Sequence, residues 1–328
     1  MLALLATQSP SGPAPGVQVV DPEAPSLPYH MPGRGPYNAP VPCDMVVDSN
    51  SPESNTHPSV WDFGPGQQWN GNRYWMAVTD YGGMHKGENP NILASNDGWK
   101  WEWPPGLTNA IWTVATTYAA NPGMTPIVSE PTHQWNSDTE IYFDAALDEL
   151  VCFWREMNTG STGPERLWSS SSTDGVTWSP PVLRLDTQAP TNVGMSMLSP
   201  CICKVSDTDW RMFTWGLGFH MRTAPSLYGP WSEKIPTTGH NRPWHAGVHY
   251  ENGVFYGLGG GTSISSTDGI NWRQHKIVLS GGGLGAWDEM LYRPMLRPHP
   301  DGKHFRVWYS SQGIWRTGYT VVPRSLWT

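Results

Sequence analysis

A chain of 328 residues with 35 Gly, 32 Pro and 20 Trp, yet only 15% charged side chains, is suited to turns and aromatic packing rather than to amphipathic helices. Its formal net charge of −8 excludes a nucleic-acid partner, because such binding needs a basic surface that displaces counterions. No run approaches the ~18 apolar residues that cross a bilayer, and the opening "MLALLA" lacks the basic region and length of a secretion signal, so no membrane insertion is expected.

Residues 1–53 hold 11 of the prolines, in "PSGPAPG", "DPEAPSLP" and "MPGRGPYNAPVP". Proline fixes φ and lacks an amide donor, so this stretch reads as an extended Pro-rich arm that docks on a neighbour, or as a disordered linker. From residue 54 to 328 the chain breaks into similar units, each with two strand-like runs. The first runs are "THPSVWDF" (56–63), "SDTEIYFD" (137–144), "LSPCICKV" (198–205), "WHAGVHYE" (244–251) and "MLYRPMLRP" (290–298). The second runs are "RYWMAVTDY" (73–81), "ELVCFWREM" (149–157), "DWRMFTWGLG" (209–218), "GVFYGLGG" (253–260) and "HFRVWYSSQ" (304–312). Cys201 and Cys203 alternate onto one face of a strand and read as core. With Cys43 and Cys152 they have neither metal-site spacing nor the number for a disulfide framework.

A turn recurs beside these runs: "SNDGWKW" (95–101), "STDGVTW" (172–178), "STDGINW" (266–272), and more loosely "APSLYGPW", ending at Trp231. Asp-Gly supplies a tight turn, with Gly free to take positive φ and Asp able to accept backbone amides. Trp101, Trp178, Trp231 and Trp272 then read as plugs packed between units. Five such units of about 55 residues predict an all-β fold, a five-bladed β-propeller over 54–328. A two-sheet sandwich would not explain one turn recurring at one place in every unit.

The ordered set "THPSVWDF", "NGNRYWMAVTDY", "ENPNILASNDG", "NSDTEIYFD" and "STDGVTWS" resembles the five-bladed propellers of tailed-bacteriophage tail proteins, which in turn look like the family 43 glycoside hydrolases, arabinanases and xylosidases. The resemblance covers about 54–325. It implies an Asp before Pro-Ser in the first blade as general base, an Asp in the second as helper and a Glu in the third as acid. Here those places read His57-Pro58-Ser59, Asp138 and Leu198-Ser199-Pro200, so only the helper keeps its carboxylate.

In a propeller the starts of the innermost strands surround one axial mouth. That gathers His57, Asp138, Ser199, His245 and, around the start of the fifth run, Asp288, Glu289 and Arg293, with Trp135 and Trp244 beside two of the starts and Glu88 of "GENPN" facing the same mouth. Carboxylates and imidazoles bind hydroxyls, and aromatic faces cover sugar rings. The eleven histidines show no metal-ligand spacing, so neither metal nor cofactor is expected. The resemblance and the arm together imply a minor tail protein of a phage, part of an oligomeric virion assembly. Its arm would bind other tail proteins, and its exposed propeller would recognise host cell-surface carbohydrate. The alternative is an active glycoside hydrolase in which Asp138 and Glu289 (or Asp288) form a displaced carboxylate pair. A third reading is a protein-binding propeller that uses loops such as 104–130.

Overall fold

The innermost strands close on themselves. In the computed structural model, which describes residues 40–45, 54–81, 88–127, 134–158, 164–187, 197–216, 218–240, 244–313 and 315–328, the chain forms β1 (Val41–Pro42), β2 (Asp44–Met45) and then five antiparallel blades. Blade one holds β3 (Asn55–Asp62), β4 (Tyr74–Asp80) and β5 (Pro90–Ser95), extended by β6 (Lys100–Trp101) through a bridge between Ala94 and Glu102. A short helix α1 (Val114–Ala120), capped by Thr113, follows in the long loop. Blade two holds β7 (Gln134–Asp144), β8 (Glu149–Asn158), β9 (Arg166–Ser172) and β10 (Val182–Asp186). Blade three holds β11 (Leu198–Ser206), β12 (Asp209–Trp215), β13 (Phe219–Ala224) and β14 (Ile235–Pro236). Blade four holds β15 (Ala246–Glu251), β16 (Val254–Gly259), β17 (Thr262–Ser266) and β18 (Arg273–Ile277). The last blade holds β19 (Met290–Pro298), β20 (His304–Gln312) and β21 (Thr317–Pro323). Around the axis β3 touches β7, β7 touches β11, β11 touches β15, β15 touches β19 and β19 touches β3 again.

Both ends of the described chain meet in that last blade. β1 supplies its outer strand, Val41 opposite Tyr319 and Pro42 opposite Gly318, while β2 runs parallel to β6 of blade one. Residues 40–45, read from sequence as part of the arm, therefore lie on the propeller and straddle the last and first blades. The rest of the arm, 1–39 and 46–53, lies outside the described residues. Among the described residues no helix is long and apolar enough to cross a membrane.

Five hydrophobic clusters fill the five junctions between neighbouring blades. The recurring turn has a place in three of them. Ser172 Oγ accepts from the Gly175 amide at 2.8 Å, and Asp174 Oδ1 accepts from Val176 at 2.7 Å and Thr177 at 2.6 Å. The same bonds recur around Ser95-Asp97 and Ser266-Asp268. In each turn the glycine has positive φ and sits against a residue of the preceding blade: Gly98 against Trp308, Gly175 against Trp75, Gly269 against Phe213 and Met221. The tryptophans that end the motif divide. Trp101, Trp231 and Trp272 are buried in junction clusters, whereas Trp178 is half-buried at the edge of one.

Gly175→Ala therefore has a sharp expected outcome. A Cβ there would stand 2.1 Å from Trp75 Cη2, on a residue with φ of +75°. Left-handed strain of ~1–3 kcal/mol and overpacking of ~1–3 kcal/mol together predict a loss of about 2–6 kcal/mol in urea unfolding. Gly64→Ala, equally left-handed but with nothing within 4 Å, should lose only the strain part. Equal losses would show that the blade contact contributes nothing.

Candidate active site at the axial mouth

Four of the five innermost strands break their ladder at one level: β3 between Thr56 and Ser59, β7 between Ser137 and Glu140, β11 between Leu198 and Cys201, β19 between Leu291 and Pro294. A bulge leaves a residue unpaired and re-aims its side chain. His57, Asp138 and Ser199 occupy these bulges at φ of 57°, 55° and 48°, a left-handed backbone that is uncommon for non-glycine residues and recurs here at one place in three strands. His245 stands just before β15, and Tyr292 takes the fifth place on β19. The ring centroids of His245 and Tyr292 lie 4.1 Å apart, those of His57 and His245 5.3 Å, and those of His57 and Tyr292 5.5 Å.

Asp138 is the hub. Its carboxylate lies 3.0 Å from Arg155 Nη2 and accepts from the Ser199 amide at 3.1 Å and Ser199 Oγ at 3.2 Å. Burial opposes its ionisation, but the positive groups around it outweigh that, among them the guanidiniums of Arg155 and Arg293, and hold the carboxyl well below the usual carboxylate range. Arg155 also bonds Glu165 at 3.0 Å, so one guanidinium serves two buried carboxylates.

The imidazoles are oriented from behind. Thr79 Oγ1 donates to the Thr56 carbonyl at 3.1 Å, so at 2.9 Å from His57 Nδ1 it accepts. Glu88 Oε2, 3.2 Å from the same nitrogen, accepts as well and is itself bonded by Ser137 Oγ. This network assigns the proton of a neutral His57 to Nδ1 and leaves a lone pair on Nε2, 3.4 Å from Asp138 Oδ1. Ser199 Oγ, which donates to Asp138, accepts in the same way from Nδ1 of His245. Burial pushes the pKa of His245 well below its usual value despite Asp138, so this ring is neutral. Among the described residues, Nε2 of both rings is buried without a hydrogen-bond partner. His57, Asp138 and His245 each offer one ligand atom, all within 4.8 Å of one another.

The floor of the mouth is Arg293. Its Nη1 donates to the Thr139 carbonyl at 2.6 Å, and its Nη2 to the Pro200 carbonyl at 3.1 Å and Glu140 Oε2 at 3.3 Å, which closes the axis beneath Asp138. The rim is aromatic: Trp244, 50% exposed, packs edge-on against His245 and donates to Tyr292 Oη at 3.4 Å, and Trp315 packs on both Tyr81 and Tyr292. Burial, then the charges of Asp138 and Glu88, push the Tyr292 phenol well up, so it stays protonated and able to donate.

Of the residues expected at the mouth, the structure brings His57, Glu88, Asp138, Ser199, Trp244, His245 and Arg293 together. Trp135 lies half-buried on β7, opposite Met157. Asp288 accepts from Tyr309 Oη at 2.9 Å, and Glu289 from the Gly285 amide at 3.4 Å, both in the approach to β19 rather than at its bulge. The fifth ring position belongs to Tyr292, which sequence reading passed over for the neighbouring carboxylates. The signal was the "LYRP" stretch, whose Tyr-Arg-Pro aligns with His57-Pro58-Ser59. Arg155, Glu165, Ser137 and Thr79 were also missed, because their roles depend on contacts across strands.

No family model matches the chain. In sequence it is 28% identical over 327 aligned positions to an A type blood N-acetyl-α-D-galactosamine deacetylase of Flavonifractor plautii, an alignment covering 78% of this chain and 40% of that protein. The chain thus spans about two-fifths of the length of the curated relative it matches. In structure it matches an N-acetylgalactosamine deacetylase from F. plautii in complex with blood group B trisaccharide, with TM-score 0.68 and 22% identity over 88% of this chain and 97% of that one. An arabinanase of Bacillus subtilis follows at TM-score 0.52 and 11% identity, over 81% and 93% of the two chains. The family 117 glycoside hydrolase of Zobellia galactanivorans gives 0.53 and 12%, over 86% and 89%. The five-bladed propeller with arabinanase-type neighbours is as expected from sequence. The phage tail protein is not. The chain's sequence relative and its match of TM-score 0.68 are both deacetylases of amino sugars, and that corrects the tail-protein reading and its glycosidase alternative.

Proposed function

We propose that the chain is a metal-dependent hydrolase that removes the acetyl group from an N-acetylated sugar. One observation carries this reading: the imidazoles of His57 and His245, each with a buried Nε2 that has no hydrogen-bond partner among the described residues, stand beside buried Asp138, and the three each offer a ligand atom within 4.8 Å of the others. Two imidazoles with one carboxylate are a donor set for a divalent transition ion. Glu88 and Thr79 behind His57, and Ser199 behind His245, hold the rings in the tautomer such a ligand needs.

An ion held there would polarise the amide carbonyl and ease deprotonation of a bound water. The chain's own groups do the rest. Asp138 stays ionised to hold its ligand position. Tyr292 Oη, protonated at neutral pH, is placed to donate to an oxygen on which charge develops. Trp244 offers an apolar face to a sugar ring. Arg293 and Glu140 block the axis, so substrate enters and leaves by the rim. The deacetylase relative favours the acetamide of an N-acetylhexosamine over a glycosidic bond as the bond cut.

The test is acetate release from N-acetylgalactosamine-terminated oligosaccharide. Release should vanish after dialysis against a chelator and return with Zn²⁺, Mn²⁺ or Co²⁺, with metal analysis giving about one ion per chain at the His₂Asp site. Release unaffected by chelation, or none from chain loaded with each ion, would overturn the reading.

A further inference from the structure

Each innermost strand runs on from the ring to the opposite face. Four residues beyond His57, Asp138 and His245 stand Trp61, Tyr142 and His249, about 13 Å further along at ~3.3 Å per residue. There all five innermost strands line a cavity of about 270 Å³, to which β19 contributes Arg297. This is close to the lower end of the ~300–1,000 Å³ of ordinary small-molecule sites, a size suited to one sugar ring. Arg293 and Glu140 separate it from the upper mouth, so it is a second compartment on the same axis.

Its chemistry differs from that of the ring. Arg297 is 9% exposed; its Nη1 donates to the Leu296 carbonyl at 3.1 Å, and its Nε is buried without a partner among the described residues. His249 Nε2 is in the same condition, and burial together with Arg297 and Arg324 pushes that imidazole down to about 3. It is neutral at any physiological pH. The nearby acids are committed. Asp62 is held by Arg73 at 2.9 Å and Arg306 at 2.7 Å, and Glu140 is bonded by Arg293 and by Ser59 Oγ at 2.9 Å. Lys204 stands at the edge, 5.7 Å from the Trp210 ring, with its charge met by Asp207, so Arg297 is the cation that matters. The pocket thus has a cationic floor in a chain of net charge −8. Half-buried aromatics stand over it: Trp61, with Arg297 5.6 Å from its ring, and Tyr142, 4.7 Å from Trp61.

We infer that this lower mouth is a second carbohydrate site, one that takes an acidic sugar of the uronic-acid type, its carboxylate on Arg297 and His249 and its ring against Trp61 and Tyr142. A guanidinium whose one hydrogen bond among those described is to a backbone carbonyl is matched by a carboxylate, and a neutral imidazole can donate to the same group. A sugar ring supplies the apolar face the aromatics cover. A bare carboxylate would leave the aromatics uncovered, and a neutral sugar would leave the Arg297 guanidinium without a carboxylate. The inference rests on the lower pocket alone and stands independently of metal or acetyl chemistry at the upper mouth.

Intrinsic tryptophan fluorescence and calorimetry with glucuronate and galacturonate, against glucose, galactose and acetate, test it on the full chain. At least one uronate should bind tenfold or more tighter than its neutral sugar and than acetate. Arg297→Gln should weaken that uronate at least tenfold and His249→Gln severalfold, while chelation and Asp138→Asn leave it unchanged. Equal binding of uronate and neutral sugar, acetate binding as well as uronate, or no saturation by either uronate would overturn it. The ligand comparison needs no variant, so it decides the matter even if Arg297→Gln fails to fold. Loss of binding on chelation would assign the uronate to the upper mouth and equally sink the proposal.

Discussion

Asp138→Asn should lower acetate release by about 10³-fold and abolish stoichiometric metal binding while leaving the propeller folded. The size follows from what a Lewis acid contributes, several kcal/mol of transition-state stabilisation, at ~1.4 kcal/mol per decade of rate. The amide of Asn is neutral, so it cannot balance the cation that would draw the imidazoles of His57 and His245 together. It also puts an NH₂ or a weak carbonyl acceptor where Ser199 now donates at 3.2 Å. Glu88→Gln separates ligation from orientation. Glu88 touches His57 Nδ1 and not its free Nε2, so its loss should cost only ~10–100-fold in metal affinity. Measuring metal affinity alongside kcat and KM distinguishes the two. If Asp138→Asn retained both metal and activity, the ring would be a structural hydrogen-bond cluster and nothing more.

The second large effect is on stability. Arg155→Met removes the cation shared by Asp138 and Glu165, with side chains 0% and 4% exposed, and leaves two buried carboxylates short of a partner. Breaking a buried pair from one side costs about 3–5 kcal/mol. The pH dependence identifies the cause. In the unaltered chain Asp138 is depressed below its ordinary value near 3.8. Its contribution is therefore complete above that value and is lost as pH falls below about 4 toward the folded pKa. In the variant a major lowering charge is gone and burial, which raises the pKa, weighs more. The native state then takes up a proton more readily, and acidification from pH 7 to 5 should narrow the gap between variant and parent. Urea midpoints at pH 7, 6 and 5 measure this. A gap that stays constant with pH would mean that Arg155 acts through packing rather than charge.

How much of this could be read beforehand differs between scaffold and site. The five first runs and five second runs fall on β3, β7, β11, β15, β19 and on β4, β8, β12, β16, β20, because aromatic and β-branched residues between Gly, Asn and Asp leave the backbone little else to form. The Ser-x-Asp-Gly turn was legible for the same local reason: its bonds join residues two and three apart. That its glycine makes room for an aromatic of the preceding blade was not, since Gly175 and Trp75 are a hundred residues apart in the chain.

For the site, knowing that strand starts converge sufficed to name His57, Asp138, Ser199 and His245. It misdirected at the fifth strand, where carboxylates at 288 and 289 drew attention from Tyr292. Nothing local to β19 says that its bulge falls three or four residues later than a hydrolytic pair would require. The meeting of His57, Asp138 and His245 as a possible ligand set was not legible in the sequence for a related reason. Ligand spacing is diagnostic when one helix or hairpin supplies the ligands, whereas here three blades supply one each, from positions 57, 138 and 245.

By itself, then, the amino-acid order determined the strands, the turns, the number of blades and an acidic, aromatic-rich character, all consequences of short-range backbone and packing preference. Only the closed ring decided which side chains meet, which imidazole nitrogens are left without partners, and that the axis is divided by Arg293 into two compartments. Those outcomes come from contacts between strands remote in the chain, whose geometry is set by closure and not by any neighbouring residue.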